Sequence, residues 1–337
     1  MKILLLAVAG ILLFGCKKTS FTESNTVYVS GTTLNGGVPV PKYWKDGVET
    51  DMPAGVIDTR KTGFTSGITV AGNDVYVSGI YSHHAAYWKN GNVVELPDNN
   101  SISSALSVQV AGTDVYVPGE ILGSAVYWKN GNLVKLSDSL NSLASSIAVT
   151  GNDIYVAGNI GKHAVYWKNG QVIFLPDGQR QAYSYGIAVS GNDIYIVGQD
   201  STESGWVTLY WKNGNPVSLE LNLQNHPSWQ QGNFPFMAVS NNDVYITTTI
   251  SDLSNPIPYY SFILYWKNGQ PVFIDGGGNP STVTGISVLN DVVYLSGYQK
   301  VGPGYDAVYW NNGHKVTLSS GSVNVQQSTS GIVAVAK

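Results

Sequence analysis

The run Gly72-Asn73-Asp74-Val75-Tyr76-Val77-Ser78-Gly79, followed shortly by Ala86-Tyr87-Trp88-Lys89-Asn90-Gly91, decides the fold, because both recur along the chain. Tyr-Trp-Lys-Asn-Gly or a near copy starts at Tyr43, Tyr87, Tyr127, Tyr166, Tyr210, Tyr265 and Tyr309, at spacings of 44, 40, 39, 44, 55 and 44 residues. Copies of the first run place a tyrosine at Tyr28, Tyr76, Tyr116, Tyr155, Tyr195, Tyr245 and Tyr294. A third motif, similar to Gly-Ile-Ala-Val, starts near Gly67, Ala105, Ser146, Gly186, Phe236, Gly285 and Gly331. Repeats of roughly 40–50 residues with four strands each are the signature of propeller blades.

Each unit reads as four short strands, A to D. Strand A is the Gly-Ile-Ala-Val run, and a tight Gly-Asn-Asp turn leads to strand B at Val75-Tyr76-Val77. A loop of variable length leads to strand C at Ala86-Tyr87-Trp88-Lys89. Asn90-Gly91 tolerates the positive φ of a two-residue hairpin, and strand D follows at Val93-Val94-Glu95-Leu96. The runs are short, β-branched and aromatic, and turn signals bound each of them, which speaks against helices. Tyr87 and Trp88 are neighbours and must point to opposite faces of a strand. Both are buried only if both faces of the sheet are covered, as in a blade held between two others.

The end repeats are incomplete in a complementary way. The first begins directly at strand B, Thr26-Val27-Tyr28-Val29, and the last is a lone strand A over 331–335. The expectation is an all-β, seven-bladed β-propeller with four strands per blade. Its ring is closed by the C-terminal strand A joining the N-terminal strands B–D, in a single domain over 26–337. The chain resembles bacterial seven-bladed propeller repeat proteins over nearly all of this span. The Gly-His and Trp-Asp pair of WD40 repeats, the double glycine of kelch repeats and the Ser-x-Asp-x-Gly-x-Thr-Trp box of sialidases are not in register. The fold therefore licenses no activity by itself.

Lys2 and the apolar run Ile3–Phe14 have the length of a signal-peptide core and are too short to span a bilayer. Leu13-Phe14-Gly15-Cys16 resembles the lipobox of bacterial lipoproteins, with Phe14 bulkier than usual at its place. The resemblance implies a leader over 1–15, lipid on Cys16, a polar tether to residue 25, and anchoring in the cell envelope. Lys17-Lys18 after the cysteine implies the outer membrane in a Gram-negative host. Cys16 is the sole cysteine, so a disulfide or a thiolate metal site within the chain is not expected. Once Lys2 leaves with the leader, 17 basic residues face 22 acidic ones, a net charge of −5 that argues against a nucleic-acid partner. A monomer is expected.

The A–B and C–D turns are short and alike, and share one end of the ring, here the bottom. The B–C and D–A loops vary and share the top, where binding groups are to be sought. Seven tyrosines lie outside the repeat motifs: Tyr81, Tyr183, Tyr185, Tyr259, Tyr260, Tyr298 and Tyr305. So do Trp206 and Trp229, with Arg60, Arg180, His83 and Glu203 in the same loops. Planar aromatics beside hydrogen-bonding groups suit sugar rings or peptide side chains. The insertions over 225–236 and 250–262 are expected to form a raised lip. The seven Tyr-Trp pairs read as blade core. Lys89, Lys129, Lys168, Lys212 and Lys267 read as surface partners of Asp74, Asp114, Asp153, Asp193 and Asp243. Asp98, Asp138 and Asp177 read as turn formers. His84 and His163 fall in blades two units apart, where they would not share a metal, and no cofactor motif is present. Asp200, Glu203, Asp252 and Asp306 are carboxylates of the top loops that an acid–base pair would require. The reading is a lipid-anchored module binding glycan or peptide. An envelope assembly protein is the alternative, followed by a polysaccharide hydrolase or lyase. Near-identical repeats weigh against catalysis, which needs particular residues in particular blades.

Overall fold

The computed structural model describes residues 25–35, 37–57, 60–177, 180–203, 205–219, 229–232, 234–252, 254, 260–274, 279–321 and 325–337. Among them it shows strands and turns and no helix. The chain is a seven-bladed β-propeller of four-stranded antiparallel blades. Blade 1 joins the two ends: Val325–Ala336 is strand A beside Asn25–Asn35, then Val38–Lys45 and Val48–Asp51. Blade 2 follows with Arg60–Ala71, Asp74–Tyr81, His84–Lys89 and Asn92–Glu95. Blades 3 to 7 repeat the pattern up to His314–Ser319. Cys16 and the leader lie outside the described residues.

The neighbouring Tyr and Trp of strand C are buried against opposite neighbours. Trp88 packs with Tyr28 and Met52 of blade 1, whereas Tyr87 packs with Val108 and Val115 of blade 3. The seven tryptophans from Trp44 to Trp310 are all fully buried. Three of the indoles also find the blade before them: Trp88, Trp128 and Trp211 donate to the carbonyls of Pro53, Pro97 and Pro176 at the ends of the preceding strands D.

Strand A carries one extra residue at mid-length. Ser66, Ser145, Tyr185, Thr284 and Ser330 are the bulged residues of blades 2, 4, 5, 7 and 1. In blade 3 the bulge falls over 106–108, and the pairing of Gln109 with Tyr116 puts Ser107 where blade 2 has Gly67. The repeat there is thus two residues later than its expected start at Ala105. Beside each bulge, the carbonyl two residues before the bulged one is pressed onto strand B. A Cβ on Gly79, Gly119 or Gly158 would lie 1.8–1.9 Å from the oxygens of Phe64, Ser104 and Leu143. Only glycine fits at that approach. Blade 6 has Thr248 at this place, and its strand A breaks between Trp229–Gln231 and Phe236–Ser240.

At the bottom, five blades repeat one cluster. Asn90, at φ 50°, accepts a hydrogen bond from the Val75 amide and donates to Asp74, while Lys89 pairs with Asp74 at 2.7 Å and sits over the Tyr76 ring. The other expected lysine–aspartate pairs, from Lys129–Asp114 to Lys267–Asp243, close at 2.8–3.2 Å with both partners part-exposed. Blade 7 replaces both partners, with Val292 and Asn311.

Candidate functional site

The height of the top face is set by the B–C hairpins. In blades 2, 3 and 4 they pair from Tyr76, Tyr116 and Tyr155 to Tyr81, Ile121 and Ile160. In blades 1, 5, 6 and 7 they run two residues further, to Asn35, Thr202, Asp252 and Val301. At about 3.3 Å per residue, four adjacent blades stand some 7 Å taller than the other three. Of the expected lip, residues 250–252 and 260–262 pair with each other in the blade 6 part of this wall. Residues 225–228, 233, 253 and 255–259 of the two insertions lie outside the described residues.

The wall carries an aromatic seam between blades 5 and 6. On strand A of blade 5, Ala182 faces blade 4, so its neighbour Tyr183 faces blade 6. Trp206 is on the same side of the blade 5 hairpin, and the two rings lie 5.5 Å apart at 33°. Thr202 closes that hairpin by donating to the Gly205 carbonyl. Trp206 remains 36% exposed. At the outer end Arg180 donates to Glu203 at 2.9 Å. At the inner end Tyr185 meets Phe234 edge-on at 5.4 Å and 72°. Burial pushes the Tyr185 hydroxyl up to about 12. Phe234 escaped the sequence reading because it belongs to no tyrosine or tryptophan class. It is 60% exposed and sits at φ 62°, which a bulky side chain rarely adopts.

The other expected residues scatter. Trp229 and Tyr260 flank Asp252 in one row across the top of blade 6, and Arg60 opens strand A of blade 2 opposite Ile57; only their backbones are described. Tyr259 lies outside the described residues. Tyr81 packs into the core between blades 1 and 2. His83 is exposed in a left-handed turn position of the same hairpin. Tyr298 and Tyr305 form their own edge-on pair on blade 7 at 5.7 Å.

Three of the top-loop carboxylates bond to neighbouring segments of the top face. Asp306 accepts from the Gly321 amide, Asp252 from the Ser254 amide and hydroxyl, and Glu203 from Arg180. Asp98 holds its turn through the Asn100 amide, as expected, but also binds His84 Nδ1 at 2.8 Å and the Ser103 hydroxyl. Burial raises the Asp98 carboxyl, and the bonds from Ser103 and His84 outweigh it, leaving it below its ordinary value. The bond to Asp98 raises the imidazole of His84. His163 makes the same contact with Asp177 at 2.7 Å. Each histidine thus has its own aspartate, and among the described residues no three metal-binding side chains converge.

No known family matches the chain, and no curated protein matches it. Among solved structures it is similar to the computationally designed protein Ika8, at 14% identity, over 87% of this chain and 80% of that one, with a TM-score of 0.45. The polysaccharide lyase Uly1 is similar at 10% identity over 76% and 80%, with a TM-score of 0.46. Apo AztD from Citrobacter koseri is similar at 13% identity over 92% and 98%, with a TM-score of 0.42. Likenesses this distant carry no argument about what this chain binds or does.

Proposed function

We propose that this protein is a lipid-anchored binding module of the bacterial envelope that holds a glycan on its top face. The observation that carries the reading is the exposed Tyr183–Trp206 platform, set beside the Arg180–Glu203 pair on the tall side of the ring. Aromatic faces accept the C–H face of a sugar, and flanking polar groups orient its hydroxyls. The anchor suits this geometry. Strand B of blade 1 rises from the bottom at Asn25, beside Ala336. A tether over 17–24 would span at most about 28 Å. Lipid on Cys16 would therefore hold the bottom towards the membrane and turn the top away from it.

A glycan array probed with the full chain in detergent tests the reading. Trp206→Ala is expected to abolish or sharply weaken any sugar signal, and a signal unchanged by it removes the platform from the site. For the anchor, Cys16→Ser is expected to move the protein out of the membrane fraction; a variant that stays there refutes lipidation.

A second reading, docking of an envelope protein, has its own observation. Ile102, Leu122 and Leu140 on adjoining loops of blades 2 to 4 are 69%, 60% and 70% exposed, and Leu122 is held at φ 50°. A pull-down that depends on Leu122 and not on Trp206 would favour it.

A further inference from the structure

The strands A of all seven blades enclose a central cavity of about 260 Å³ at the level of their bulges. Its wall is uneven. Blades 1, 2, 4 and 7 present the bulged hydroxyl residues Ser330, Ser66, Ser145 and Thr284. Blades 3, 5 and 6 replace these with Leu106, Tyr185 and Pro235, and Phe234 stands next to Pro235 against the Tyr185 ring. Among the described residues, no charged side chain lines the cavity.

Each feature narrows the occupant. A left-handed backbone is strained at a bulky residue, and Phe234 is too exposed for burial to offset it. Strain of this kind, held beside a cavity, is a mark of a ligand contact. An uncharged wall cannot compensate a buried ion, which disfavours peptide termini, uronic acids and amino sugars. The volume is many times that of a single water and accommodates a sugar ring. The aromatic side matches the apolar C–H face of a sugar ring, and the hydroxyls of Ser145, Ser330 and Thr284, which also bond across to neighbouring blades, would meet its hydroxyls through their remaining lone pairs.

We propose that the cavity receives one neutral pyranose of a glycan whose next residues run up the seam over Tyr183 and Trp206. The inference rests on the glycan reading above and adds where one residue of the glycan sits and that it is uncharged.

The test is saturation-transfer NMR on the full chain in detergent, with methyl glucoside, galactoside and mannoside, the matching uronic acids, and linear tetrasaccharides of the same sugars. Phe234→Asn removes the ring while keeping a residue at ease with positive φ, so the variant is expected to melt no lower than wild type. Tyr185→Ser gives blade 5 the serine of blades 1, 2 and 4. At least one neutral methyl hexoside is expected to bind, and both variants are expected to weaken it about tenfold or more, whereas Trp206→Ala weakens the tetrasaccharide and spares the methyl hexoside. Equal binding of uronic acids, or hexoside binding untouched by both cavity variants, overturns the proposal. If a tetrasaccharide binds and only Trp206→Ala matters, the wider glycan reading stands and the cavity assignment falls. If no saccharide binds, both fall.

Discussion

Trp128 and Trp167 occupy the same place in adjacent blades and differ in one bond. The Trp128 indole donates to Pro97 at 2.8 Å, whereas blade 3 ends in Leu136-Ser137 and leaves the buried Trp167 indole without a partner. Replacement by Phe removes similar volume at both. Only at Trp128 does it delete a hydrogen bond and strand a carbonyl, a difference of about 1 kcal/mol. Trp128→Phe is therefore expected to lower the urea midpoint more than Trp167→Phe, and equal losses would refute this account. His84 supplies a pH-dependent counterpart. Its folded value is raised, so its contribution is complete below about pH 6.5 and is lost as pH climbs through the folded value. Asp98 is depressed, so its share is lost on acidification, below about pH 4. Between these limits the pair contributes most. The fall in melting temperature from pH 5.5 to pH 8 is expected to shrink in His84→Gln, and an unchanged fall would show that the imidazole adds nothing.

At the scale of the element, the bulge in strand A and the glycine of strand B are one device. The bulged strand needs room at its neighbour, and a side chain there would strike backbone, not a side chain that could swing away. Gly158→Ala would set a Cβ 1.8 Å from the Leu143 oxygen and is expected to cost about 3 kcal/mol or more. Gly151→Ala, in a left-handed turn with open space around it, is expected to cost about 1 kcal/mol. Comparable midpoints for the two variants in urea would refute the clash. The tall hairpins were legible in the chain. The distance from the strand B tyrosine to the strand C tyrosine is 11 residues in blades 2 to 4, 15 in blades 1, 5 and 7, and 20 in blade 6. Four residues more in a hairpin are two more on each strand, which is the observed wall. Phe234 had no such signal, because its role depends on a strand break beside a Tyr185 that belongs to another blade.

At the scale of the molecule, the ring depends on blade 1. Asn25–Asn35 and Val325–Ala336 pair along their length, and Trp44 packs this blade onto Tyr294 and Tyr309 of blade 7. A chain of hydroxyls continues the seal: Ser30 meets Ser330, which donates to Thr65, while Thr284 meets Thr329. Removing residues 331–337 takes away half of strand A and its contacts with blades 7 and 2. The loss is expected to be cooperative, since each blade is buried only between two others. A truncated protein with the melting temperature of the full chain would show that closure is dispensable.

Blade number, strand order, closure and the roles of the Tyr-Trp pairs were set by the sequence alone, because period, alternation and turn residues act locally and are repeated seven times. Such signals reinforce one another with each copy. The grouping of the candidate site was decided by the tertiary structure. Tyr183 and Tyr185 share one strand, Trp206 comes from the next hairpin and Phe234 from another blade, and only the ring geometry brings them to one seam, while it sends Tyr81 into the core. Residues that occur once have no repeat to announce them, and their meaning lies in what the fold places opposite them.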